Sequence, residues 1–216
     1  MQTDDTEGMA TRMNVFAEYW YLWLLLVVLA VAAFFVWGKA AAAARRHGEK
    51  RAEIEEKLRY EALLRKEYAV LTPQKIAEAP QDTLLDGVVC RLQQRLEKRP
   101  DMTKAFQACS MQEREMYALY YVCEDGAQKL SRFFRINGEP LLALAPQALL
   151  HVDAQEEARI AAEEYEMFDE GNEAVSLDRE RLDQLDLAFK NIFCAARIKS
   201  LAADYIRADA QAFLQD

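Results

Sequence analysis

Residues 85–96, LDGVVCRLQQRL, place Leu85, Val88, Val89, Leu92 and Leu96 at i, i+3, i+4, i+7 and i+11. At helical pitch these five share one side of a cylinder, so the segment reads as an amphipathic helix with a single buried face. Helical spacing, steps of three and four, returns downstream in three more sets: Ala158, Ala161, Ala162, Tyr165 and Phe168; Leu182, Leu185, Ala188, Phe189 and Ile192; Ile198, Leu201, Ala202, Tyr205 and Ile206. No run alternates with period two. The expected fold class is therefore all-α, with a compact helical domain over residues 71–216, long enough to bury its own core. Ser110 with Glu113 and Asp153 with Glu156 have capping-box spacing and mark two helix starts. Pro73, Pro100 and Pro140 punctuate between helices, Pro140 at a first-turn position. Asn137-Gly138 reads as a helix end, because its flanks lack the alternation of a hairpin.

Upstream the character changes. Tyr19–Gly38, YWYLWLLLVVLAVAAFFVWG, is 20 consecutive uncharged residues. As a helix it reaches ~30 Å, the thickness of a bilayer's hydrocarbon core. Tyr19, Trp20, Tyr21 and Trp23 at one end, and Phe34, Phe35 and Trp37 at the other, suit rings resting at headgroup level. A cleaved signal peptide would need a basic leader, and this one carries Asp4, Asp5, Glu7 and Glu18 against Arg12 alone. Lys39, Arg45, Arg46, Lys50, Arg51, Lys57 and Arg59 follow the span. The positive-inside rule thus puts residues 1–18 outside and everything after Lys39 in the cytoplasm, with the basic cluster against anionic headgroups. Residues 39–70 read as a charged helical stalk, with Glu53–Lys57, Glu55–Arg59 and Glu61–Arg65 as i,i+4 pairs. Ile54 and Leu58 begin an apolar stripe that is not sustained as a coiled coil.

Charge is unevenly spread. The whole chain carries 27 basic and 36 acidic side chains, a net of −9, which argues against direct nucleic-acid binding. Residues 1–69 balance at 10 and 10, so the domain holds the entire surplus. Asp153–Asp186 alone has 13 acids opposed by Arg159, Arg179 and Arg181, a net of −10. Such crowding repels itself and is relieved by a cationic partner. The candidate contacts are Glu156, Glu157, Glu163, Glu164, Glu166, Asp169, Glu170 and Glu173. A merely solubilising face is the competing reading. A calcium loop over Asp169–Glu180 is disfavoured, since Gly171 and Ala174 stand where Asp or Asn and the turn glycine are required. Cys90, Cys109, Cys123 and Cys194 have no CxxC spacing and read as buried small hydrophobes in a reducing compartment.

Several stretches carry a family resemblance: Val122-Cys-Glu124, Phe133-Phe-Arg-Ile-Asn-Gly-Glu139 before an Ala- and Leu-rich helix, Leu182-Asp-Gln-Leu-Asp-Leu-Ala-Phe189, and Asp204-Tyr-Ile-Arg207. Over roughly residues 115–215 they resemble the C-terminal domain of the DNA-mimic protein family. The resemblance implies a compact all-helical fold. It also implies, by analogy with an acidic dimeric member, carboxylates that imitate DNA phosphates on a basic protein, and a homodimer as one assembly. Ala127-Gln128-Lys129 stand where the family has an Asn-Gly-Gly turn, and Arg132 replaces a glutamine.

No Gly-rich phosphate loop, GxSxG or HExxH occurs, so no catalytic residue, metal or cofactor is assigned and an enzyme is not expected. His151 reads as a structural or capping residue, and Tyr117, Tyr120 and Tyr121 as a core and partly exposed stripe. The expectation is a single-pass inner-membrane protein whose cytoplasmic acidic domain binds a basic partner, as a mimic or an inhibitor. The contrasting expectation is a structural membrane component with no acidic-face partner.

Overall fold

The computed structural model describes residues 51–52, 54–168 and 178–214, together with Leu25 and Leu29. It divides into a unit spanning Met1–Arg59 and a unit spanning Tyr60–Asp216. In the first, the described residues are helical and exposed. Among the described residues no helix is long and apolar enough to cross a membrane. The 19–38 stretch, apart from Leu25 and Leu29, lies outside them, as do the tail 1–18 and Lys39, Arg45 and Arg46.

The second unit is all-α, with no strand among its described residues. It opens with α1 (residues 60–67) and continues through α2 (Pro73–Glu78), α3 (Gln81–Glu97), α4 (Met102–Gln107) and α5 (Met111–Tyr121). A π-helical turn, Val122–Gly126, leads into α6 (Leu130–Ile136) and α7 (Leu141–His151). Then come α8 (Gln155–Tyr165), α9 (Arg179–Ile192), α10 (Ala195–Ala208) and a closing 3-10 turn, Ala210–Phe213. α3 is the central element: its stripe is fully buried, and the run Leu84–Cys90 is buried on every side. α10 packs along α3, while α5, α7, α8 and α9 stack in succession.

The domain starts earlier than the expected boundary at residue 71. Leu64 and Tyr68 belong to the main core, and α1 is tied down by Tyr60 Oη donating to Asp86 (3.1 Å) and Arg65 reaching Glu97 (3.0 Å). Arg65 thus leaves its expected partner Glu61, whereas the Glu55–Arg59 pair forms at 3.7 Å. Within the segment read as the end of a stalk, Leu64 and Tyr68 reach into the core, while the other residues of 60–70 are exposed.

Helix starts are a mixed outcome. The Ser110–Glu113 capping box closes in both directions, and Pro73 takes the first turn of α2 behind Thr72. Pro140 precedes α7 as its cap residue. Asp153 is no N-cap. It sits at φ 63° as the left-handed residue ending α7, with Asp153 N–H donating to Leu150 O and Ala154 N–H to Leu149 O. That is the 5→2, 6→1 pattern of a Schellman stop, so Ala154 caps α8 instead. Asn137 ends α6, as the sequence suggests.

Candidate functional site: the acidic helices and a basic cleft

α8 and α9 pack against each other and carry most of the described acidic residues of Asp153–Asp186. Asp153, Glu156, Glu166, Asp178, Glu180 and Asp183 are exposed. Glu157 and Glu164 are not: they are 2% and 0% exposed, which corrects their assignment as partner contacts. Lying seven residues apart, two helical turns, they share the inward face of α8 with Ile160 and Ala161. Glu157 is paired with Arg197 of α10. Glu163 is half-buried and already engaged by Arg181, with Arg159 at 3.6 Å. Glu156 meets Arg159 at 3.4 Å with both side chains well exposed, a contact worth little in water. Asp169, Glu170 and Glu173 lie outside the described residues.

Glu164 is the most unusual group. Neither carboxyl oxygen has a hydrogen-bond partner. Burial first, and the charge of Asp186 second, push its pKa up to about 9, against weaker opposing pulls from Lys129 and Arg135. It is a neutral acid at pH 7, which brings the segment from −10 to −9.

Asp186 is buried for a reason. The cap position of α6 is Lys129, which has no acceptor to offer the free N–H groups of the first turn. Asp186 supplies one from α9, accepting from Ser131 N–H and Ser131 Oγ at 2.8 Å each, with Lys129 Nζ at 3.3 Å and also 3.1 Å from Asp183. Lys129 and Ser131, held by Asp183 and Asp186, therefore clamp α6 to α9.

Three further polar clusters are not legible as sites in the sequence. Asp86 (5% exposed) holds Lys199 Nζ at 2.8 Å beside Tyr60. Glu115 (1% exposed) lies 3.0 Å from His151 Nδ1 and accepts from Tyr205 Oη at 3.3 Å. Burial and the Glu115 charge raise the Tyr205 pKa to about 12, and the His151 ring stacks on Tyr205. His151 thus links the end of α7 to α5 and α10. The third cluster lines a cleft of about 430 Å³ at the end of α3, with Arg95, Arg99, Lys104, Asp101, Cys109 and Glu113 in its wall.

The thiols divide in a way that composition does not reveal. Cys90 and Cys123 are buried and Cys109 half-buried, but Cys194 is exposed at the start of α10, correcting its reading as a core residue. Burial raises the pKa of the Cys90 and Cys123 thiols, so neither is poised as a nucleophile. No group of metal-ligating side chains assembles among the described residues.

The apolar residues of the resembling motifs are largely packing residues: Phe133, Phe134, Leu182, Leu185, Phe189 and Ile206 all lie in the buried interior. No family model, curated protein or solved structure matches the chain.

Proposed function

We propose that this chain is a single-pass membrane protein whose acidic helical domain captures a basic protein partner. The observation that carries the proposal is the −10 surplus of Asp153–Asp186, from which burial withdraws Glu157, Glu164 and Asp186 but leaves six described carboxylates exposed. Glu166 and Glu180 make no ion pair among the described residues, and Glu156 makes only a solvent-exposed one. The resemblance to the DNA-mimic C-terminal domain supports the same kind of partner, one whose surface is built for phosphates. The span 19–38, with its aromatic ends and basic flank, keeps the complex at the inner membrane with the domain in the cytoplasm. An inhibitor of a basic toxin is a variant of this mechanism.

The contact set follows from exposure. Charge reversal belongs at Glu156, Glu166 and Glu180; a lysine at buried Glu164 would instead disrupt α8. The triple variant Glu156→Lys, Glu166→Lys, Glu180→Lys is expected to slow capture by on the order of tenfold or more at low salt. Crosslinking in intact cells followed by mass spectrometry identifies the partner, and stopped-flow or pull-down at low and high salt measures the loss. Capture that ignores both salt and the triple reversal would leave a structural membrane component as the better reading. The anchor has its own check: full-length protein is expected to stay with the membrane pellet through alkaline carbonate extraction, and recovery in the supernatant would remove the anchor.

A further inference from the structure

We propose that the cleft at the end of α3 binds the phosphate of a small phosphomonoester. It is a local inversion of charge. Its wall carries Arg95, Arg99 and Lys104 against Asp101 and Glu113, a net of +1 in a chain of −9. Its volume, about 430 Å³, lies within the range of small-molecule sites.

The two carboxylates are already committed. Glu113 receives Arg95 Nη2 at 2.7 Å and closes the Ser110 capping box, accepting from Ser110 N–H at 3.2 Å. Asp101 caps α4, accepting from Lys104 N–H at 3.0 Å. The cations are committed unequally. The Arg95 guanidinium is neutralised by Glu113. Arg99 is exposed and makes no ion pair or side-chain hydrogen bond among the described residues. Lys104 Nζ meets Asp101 at 3.2 Å, but with its side chain 84% exposed that contact is easily exchanged. With Arg95 cancelled by Glu113, Arg99 and Lys104, one a planar fork and one a point charge, stand against Asp101 alone and leave the wall its single net positive charge. A phosphomonoester offers three acceptor oxygens and can take both donors at once, where a carboxylate offers only two. Leu96, Pro100, Ala105 and Ala108 complete the wall and offer apolar surface to the ligand's organic body. None of these residues belongs to the acidic surface, so the cleft is independent of partner capture.

Cys109 reports occupancy, because its half-buried thiol lines the same wall, 3.3 Å from Arg95 Nη2. The experiment uses full-length protein in detergent with Cys194→Ser, removing the exposed thiol, and follows Cys109 alkylation by N-ethylmaleimide with mass spectrometry. Inorganic phosphate and glycerol 3-phosphate, against sodium chloride of matched ionic strength, are expected to slow alkylation roughly threefold at about twice their dissociation constant. Adding Arg99→Ala and Lys104→Ala should abolish the protection; both side chains are exposed, so the fold is retained. Equal rates in phosphate and chloride overturn the proposal. So does protection that survives the double variant.

Discussion

Replacing Glu164 by glutamine is expected to stabilise the domain at pH 8 and to change it little at pH 4. The folded carboxyl has its pKa near 9 because burial, and then Asp186, oppose its ionisation; the reference value is 4.5. Between those values the folded state holds a proton that the unfolded chain has released. Stability contributed by this group is therefore complete below about 4.5 and falls as pH rises to about 9. At pH 7 the penalty is roughly 3 kcal/mol, because each pH step above the reference value costs ~1.4 kcal/mol. A glutamine occupies the same volume and never ionises, so it removes that slope. Its buried amide keeps the cost of an unsatisfied polar group, which the neutral acid bears as well. Urea unfolding of both proteins at several pH values gives the test: the stability difference should grow from near zero at pH 4 to a few kcal/mol at pH 8. Parallel pH curves for the two proteins would mean that Glu164 is solvated or paired in solution.

Burial of this acid is partly readable in the sequence and is obscured by its company. Glu157 and Glu164 fall on the same helical face as Ile160 and Ala161, so periodicity alone points them inward. A run of 13 acids reads instead as a solvated face, because composition averages over the very angle that decides burial. The same averaging hides α1. Glu61, Leu64, Tyr68 and Leu71 follow helical spacing, yet Arg65, Lys66 and Glu67 give the segment the look of a solvent-exposed stalk. Where apolar residues dominate their face, as at Leu85, Val88, Val89, Leu92 and Leu96, the pattern carries straight into the core. Asp153 misleads for a different reason: Asp is favoured both as a helix start and as a left-handed helix stop, and only the hydrogen bonds to Leu149 and Leu150 decide between them. The basic cleft has half a signal, since Arg95 and Arg99 are four residues apart, although α3 ends at Glu97 between them. Lys104 and Cys109 join them only through the packing of α4 beside α3.

Gly87→Ala is expected to destabilise the domain, against the direction that helix propensity alone would give. In the interior of α3, alanine should be favoured over glycine by about 1 kcal/mol. At this position, however, a Cβ would lie 2.5 Å from three ring atoms of Tyr68. The ring has little freedom to retreat. Tyr68 is 1% exposed, its hydroxyl lies 3.4 Å from Thr83 Oγ1, and Lys75 Nζ sits 5.4 Å over its face. Forcing a methyl into such a contact costs about 1–3 kcal/mol, enough to exceed the propensity gain. The glycine is there so that the segment preceding α2 can lie flat on the central helix. Tyr68→Ala should itself cost about 3–5 kcal/mol through the cavity it leaves. In that background Gly87→Ala should become neutral or stabilising, giving a coupling that a double-mutant cycle reads directly from unfolding midpoints. A Gly87→Ala protein more stable than the parent in the original background would detach Tyr68 from α3, and with it the place of Tyr68 in the core.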